Sequence, residues 1–406
     1  MDKFEGALLA CLLTPLENPN DKLCNWGITP NFIGGSGIGK SARITTISKY
    51  AGLNVYPIFS ATKTPEHIGG FPANTPEGFM LKCALPQVLN AIDDQRAVIF
   101  LDEISTAPPA VQAALLSFVN ERTIGEYVLP VGVRIVMAMN PADMAANGHD
   151  LEIPMANRVA HFKYLPPSVE QWADFILGRY RPNVIDLKDG EAMVKSRWNS
   201  HFPQVASLAG DFMKANNGQY TVKDADGKDV VRSKLYDQPD SSDPRANGAW
   251  PSHRSWRQAV HGAAAVRCLG LDPSLETDIV AALVGEGLAV EWATYVRKMD
   301  LPQPEDVLTK GWTIPRRIDI VRVVMNSCST FVANVKDPKD KATFATSCWR
   351  LLGRAMDAGY SDITVKPAES LIHAGLDVTH PDAGVQEAAE DICSKLGDSG
   401  QLKYLK

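Results

Sequence analysis

Gly34-Gly35-Ser36-Gly37-Ile38-Gly39-Lys40-Ser41 carries every fixed position of a phosphate-binding loop, G-x-x-x-x-G-K-[ST]. A loop of this kind wraps a polyphosphate in backbone N–H groups, and its glycines supply the tight, positive-φ turns that this requires. In that reading Gly35, Ser36, Gly37, Ile38 and Gly39 line the phosphates. Lys40 reaches the β- and γ-phosphates, and the Ser41 hydroxyl ligates Mg²⁺. The plain alternative is a glycine-rich turn that happens to end in Lys-Ser. The setting speaks against it, because apolar Phe32-Ile33 precedes the loop and residues 41–51 read as a helix stopped by Gly52. Pro30 and Asn31 interrupt the lead-in strand.

Two further groups fit the same chemistry. Asp102-Glu103 ends the apolar run Ala97–Leu101, which has the pattern of a strand buried on both faces. Carboxylates at the carboxyl edge of such a sheet lie beside the phosphate loop. Asp102 suits Mg²⁺ held largely through water, and Glu103 suits a base that orients or activates an attacking water. Alone, an apolar run ending in Asp-Glu is common, and it gains meaning from the loop. Asn140 closes the next apolar run, Arg134–Met139, where an amide can bond both a γ-phosphate and the attacking water. Asn before Pro141 is equally a routine turn starter.

These groups need a scaffold. Strand candidates at 54–60, 97–101, 134–139 and 161–165 alternate with helices, the pattern of a parallel α/β sheet. Ser105-Thr106 read as the cap of a helix opened by Pro108-Pro109. Its apolar positions Val111, Ala114, Leu115, Phe118 and Val119 make one face. Phe4, Leu8, Leu9 and Leu12 predict an amphipathic first helix within residues 1–20. Residues 61–82 are rich in Gly, Pro and Thr, yet too apolar for a linker, and 124–133 reads as a hairpin. The α/β core therefore runs over 1–165. A mainly helical lid follows over 166–335, with a polar insertion at about 217–248, and a helical extension over 336–406. Helices are expected at 252–269, 274–298, 315–334, 339–358 and 366–374. Asp224, Asp226 and Gly227 echo a calcium loop, but with the wrong spacing, so a plain turn is expected.

The series formed by the phosphate loop, FLDEI, AMNP and Asn157-Arg158 resembles an AAA+ ATPase, and within that superfamily the MoxR group. Further points of likeness are Glu66-His67-Ile68-Gly69-Gly70, the Val111–Arg122 helix and the hairpin before the Asn140 strand. Over the helical part Ser252-His253-Arg254 is similar to the second sensor motif. The resemblance implies ATP as the nucleotide and Arg158 as an arginine finger that completes a neighbouring subunit's site. It also implies Arg254 as a γ-phosphate sensor. The family pattern at the finger is Leu-Asp-Arg-Phe, whereas this chain reads Ala156-Asn157-Arg158-Val159. Arg122 stands as the alternative finger.

The chain has 406 residues, 45% of them hydrophobic, and a net charge of −6. Its acidity (pI about 5.8) counts against a nucleic-acid partner. Seven cysteines without a C-x-x-C pair read as reduced thiols of a cytoplasmic protein. No apolar run approaches the ~20 residues of a membrane span. Ala7–Leu13 follows Lys3 as in a signal peptide, but Asp2 and Glu5 spoil the positive region.

A trans-acting arginine requires an assembly. The resemblance implies a hexameric ring that remodels a protein client, with a von Willebrand A domain protein as partner. Phe71 and Phe79 are candidates for a client-gripping loop. Two other classes compete: a nucleic-acid-directed AAA+ motor or nucleotide-gated subunit of a DNA-processing complex, and an assembly scaffold without turnover. An intact Glu103 counts against the scaffold.

Overall fold

The computed structural model describes residues 1–76, 78–82, 85–145, 148–216, 218–223, 226–299 and 301–398 (the side chains of 73, 75 and 79–82 excepted). Its centre is a five-stranded parallel sheet in the spatial order Asn54–Phe59, Ala97–Asp102, Arg134–Met139, Pro30–Ile33, Ala160–Lys163. The strands Ala97–Asp102 and Arg134–Met139 are buried at every residue, as continuous apolar runs must be when helices cover both faces. Even Arg134 is enclosed, its guanidinium shared between Glu191 and the carbonyls of Leu12 and Gly132. The strand before the phosphate loop forms despite Pro30 and Asn31. Pairing on both sides, with Arg134–Met139 and Ala160–Lys163, overrides their weak local preference.

The Pro109–Glu121 helix turns Val111, Leu115, Phe118 and Val119 onto one face of the sheet, where they meet Ile99, Leu101, Ile135 and Met137. Ser105-Thr106 do not cap it. They lie in a separate 3₁₀ turn, Ile104–Thr106, and Pro108 is the helix cap. The first helix, Lys3–Leu12, is shorter than residues 1–20 and is not amphipathic: all residues from Glu5 to Leu12 are buried. It is enclosed because Gly6 packs against Leu275 and Phe4 against Phe32, so helices and sheet surround it. The 61–82 stretch holds a short helix, Pro65–Gly69, and an antiparallel hairpin, Phe71–Thr75 with Gly78–Lys82.

The chain divides into two units, residues 1–195 with 217–291, and residues 196–216 with 292–406. The expected boundaries at 165 and 335 do not coincide with these divisions. Helices His253–Leu269 and Ser274–Val284 join the sheet's unit, with Gly262 packed against Ile28 and Ile279. The helix expected over 274–298 is broken at Gly285, whose φ of 98° ends the first piece before Glu286–Arg297 begins. The polar insertion is the hairpin Gln219–Lys223 with Asp229–Ser233, turning at Gly227. Asp224 lies outside the described residues. The second unit is a helical bundle around Val321, Met325, Cys328, Trp349, Leu352 and Leu371. Its last described helix, Ala383–Asp398, falls in the stretch expected to be helical, though no bounds were expected for it. Among the described residues, no helix is long and apolar enough to cross a membrane.

Candidate functional site

The loop between strand Pro30–Ile33 and helix Lys40–Tyr50 is shaped by its glycines. Gly37 and Gly39 have φ of 76° and 85°, a region that side chains resist. Gly34 is required for a different reason: a Cβ there would stand 2.8 Å from the carbonyl oxygen of Tyr164. Lys40 Nζ donates to the carbonyls of Gly34 and Gly35 at 2.7 Å each and to Asn140 Oδ1 at 2.8 Å. Burial lowers the Lys40 pKa, and the charges of Asp102 and Glu103 oppose that shift.

Ser41 Oγ donates to Asp102 Oδ2 at 2.7 Å, while Asp102 Oδ1 accepts the Glu103 amide at 3.0 Å. Glu103 adopts φ 55° and ψ 41°, a left-handed conformation that costs a non-glycine residue about 1 kcal/mol or more. It is held by Thr106, whose amide and hydroxyl both donate to the Glu103 carbonyl, at 3.0 and 2.7 Å. The strained turn leaves Glu103 exposed at the lip of a cleft of about 260 Å³ that also contains Ser36, Lys40, Ser41, Asp102 and Asn140. Asn140 gives its amide oxygen to Lys40, so its NH₂ end remains as a donor. Of the loop, Gly35 contributes its carbonyl to Lys40, and Ile38 accepts from the Tyr164 hydroxyl at 3.4 Å.

The donor set fits a hard divalent cation. Ser41 Oγ and Asp102 Oδ2 are oxygens already within one hydrogen bond of each other, at the mouth of a phosphate-sized cleft. No group of three or more His, Cys, Asp or Glu among the described residues is arranged to cage a metal. Mg²⁺ commonly takes few protein ligands and completes its shell with water and phosphate oxygens.

Beside the loop lies a second, apolar pocket of about 140 Å³, bounded by Gly39, Ala42, Pro167, Trp172, Phe175 and Tyr180. Arg43 forms one wall. Its guanidinium stacks 4.7 Å from the Phe4 ring centre and pairs with Asp2. Sequence reading missed this pocket. Its signal was the aromatic series Trp172, Phe175 and Tyr180 beyond the edge strand Ala160–Lys163 of the sheet.

The arginines are sorted differently. Arg122 is buried and donates to the carbonyls of Pro130 and Val133 at 2.8 and 2.7 Å, so it is committed to structure and drops out as a finger. Neither Arg158 nor Arg254 lines the cleft formed by its own loop. Arg158 is half-buried with one Nη on the Pro154 carbonyl, and Arg254 is exposed. Burial lowers the Arg158 pKa, and the nearby Arg254 charge lowers it further. Phe71 is 43% exposed at the start of its hairpin, and the Phe79 side chain lies outside the described residues.

Residues 32–158 match the family model described as the AAA domain of the dynein-related subfamily. Among solved structures, 253 chains match. One is the crystal structure of an ATPase candidate from Cytophaga hutchinsonii, 15% identical, covering 73% of this chain and 89% of its own, with a TM-score of 0.46. No curated protein matches the chain. The stretch 32–158 is thus an AAA-type ATPase domain.

Proposed function

From an AAA domain over residues 32–158 we propose a MoxR-like AAA+ ATPase that hydrolyses ATP with Mg²⁺ and works as an oligomeric ring, most simply a hexamer. The observation that carries the reading is the constellation Lys40–Asn140 and Ser41–Asp102, with Glu103 strained outward beside it. Lys40 binds the β- and γ-phosphates, and loop amides of Gly35 to Gly39 cradle them. Ser41 and Asp102 would hold Mg²⁺, which would supply charge neutralisation at the phosphates. Glu103 accepts a proton from the attacking water, and the Asn140 amide orients that water. The apolar pocket at Trp172 and Tyr180 receives the base.

A ring is supported by where Arg158 lies. It is not among the residues that line its own cleft, which favours contact with a second subunit's nucleotide. Hydrolysis would then drive remodelling of a protein client. A von Willebrand A domain partner is proposed from the family resemblance alone, and exposed Phe71 is the candidate contact to the client. A cytoplasmic location is proposed from the scattered cysteines of the sequence, which hold no C-x-x-C pair. Phosphate release from ATP and Mg²⁺, together with mass photometry, tests the reading. We expect turnover, lost in Lys40→Ala, and assembly of several subunits with non-hydrolysable ATP. A protein that stays monomeric at micromolar concentration would remove the ring.

A further inference from the structure

Asn157 directly precedes Arg158, and the structure gives its amide a defined task. The side chain is buried, 5% exposed. Its Oδ1 accepts the Ser252 hydroxyl at 2.8 Å, and its Nδ2 donates to the Trp250 carbonyl at 3.2 Å. Ser252 is at the same time the cap of the His253–Leu269 helix, accepting the Ser255 amide at 3.1 Å. One amide therefore joins the residue before Arg158 to the residue two before Arg254. The link is enclosed, since Trp250, Ser252 and Ser255 are all buried.

Burial lowers the Arg158 pKa and the charge of Arg254 lowers it further, so the two cations act on each other. The Glu121 charge opposes that shift in part, but no salt bridge to either guanidinium occurs among the described residues. Such a pair is stabilised when it shares an anion, and two guanidiniums can bracket one terminal phosphate.

We propose that Asn157 is a positioning residue that bolts Arg158 and Arg254 into one two-cation face, and that both arginines meet the terminal phosphate held by a second copy of this chain. Arg254 then serves the neighbour's cleft and not its own. The inference rests on the trans reading of Arg158. Removing the amide leaves the phosphate loop intact but frees the two arginines from each other.

The test uses the full chain. Asn157→Leu keeps the volume of the side chain and deletes both hydrogen bonds, and Asn157→Ala serves if the first folds poorly. Each variant is read for affinity toward a fluorescent ATP analogue and for kcat. We expect affinity within about 2-fold of the parent and kcat lowered by roughly 10- to 100-fold, a split that general destabilisation would not give. Arg254→Ala and Arg158→Ala should each lose turnover, and the double variant should be little worse than either, as for residues acting as a unit. Mixing Arg254→Ala with Lys40→Ala should restore phosphate release, because the second protein supplies Arg254 to the intact cleft of the first. If Arg158→Ala is restored by this mixing and Arg254→Ala is not, Arg254 serves its own cleft and the proposal is overturned. If neither is restored, the trans reading fails and the proposal falls with it. An Asn157→Leu variant with parental kcat would also overturn it.

Discussion

Ser41 Oγ donates to Asp102 Oδ2 at 2.7 Å, joining the first turn of one helix to the last residue of a strand two places away in the sheet. That contact ties phosphate binding to the carboxylate edge, because Lys40, one residue earlier, reaches across the same gap to Asn140. Binding and water activation are thus held by different residues of one network, and they should separate on mutation.

Lys40→Ala removes the charge proposed to meet the β- and γ-phosphates, together with three hydrogen bonds that hold the loop and Asn140 in place. ATP affinity should fall by about 100-fold or more. Glu103→Gln keeps the outward turn and the bond from Thr106, so binding should survive within a few-fold while turnover drops by roughly 10² to 10⁴. Titration with a fluorescent nucleotide, paired with phosphate release, reads both. Equal loss of affinity in the two variants would reject the assigned roles.

How far the sequence revealed this site depends on the kind of signal. The phosphate loop and the Asp102-Glu103 edge were legible because fixed spacing and a wholly apolar strand each have one structural outcome. Asn140 was ambiguous as a residue type and became specific only through its contact with Lys40. Arg122 could not be discounted from sequence, since only the fold shows its guanidinium spent on Pro130 and Val133. The apolar pocket escaped because Ala42, Trp172 and Tyr180 are far apart in the chain and none belongs to a motif. The first helix was misjudged as amphipathic because periodicity records one apolar face, while Gly6 allows close packing on another.

Trp172 is 48% exposed and lies nearly parallel to Phe175, with ring centres 6.1 Å apart and an 8° interplanar angle. If this wall receives the base, Trp172→Ala should weaken ATP binding by about 10-fold, the scale of one lost stacking contact. Inorganic tripolyphosphate, which has no base, should bind both proteins alike when used as a competitor. Matching losses for ATP and tripolyphosphate would show that the pocket acts on the loop and not on the base.

His261 supplies a pH dependence. Burial pulls its imidazole pKa from 6.5 down to about 4, against a hydrogen bond between Nδ1 and the Pro15 carbonyl at 2.8 Å. The unfolded chain takes up this proton near 6.5 and the folded chain only near 4. Stability is therefore full above about 6.5 and is lost as pH falls toward 4, by on the order of 2 to 3 kcal/mol. His261→Gln, which cannot titrate, should narrow the fall in urea midpoint between pH 7.5 and 4.5. Parallel curves for parent and variant would remove His261 as the cause.

Arg122 and Arg158 make the sharpest contrast, since both were candidates for the finger and the structure separates them by environment. Arg122 is 8% exposed, adopts φ 59°, and satisfies two buried carbonyls. Arg122→Ala should destabilise the fold by about 2 kcal/mol or more, the cost of leaving those acceptors unpaired, with turnover per folded molecule little changed. Arg158 is half-buried, and its guanidinium donates to the carbonyl of Pro154 in the short helix Ile153–Ala156 that precedes it. Arg158→Ala should leave the melting temperature and ATP affinity near parental values and lower turnover by roughly 10³-fold. Mixed with Lys40→Ala, it should regain activity across a range of ratios, because an Arg158-bearing subunit completes the intact cleft beside it. Arg122→Ala should show no such regain beyond the sum of its parents. Calorimetry, nucleotide titration and phosphate release on the same samples decide the matter. Mixed assemblies that form without any gain for Arg158→Ala would exclude Arg158 as the group acting between subunits.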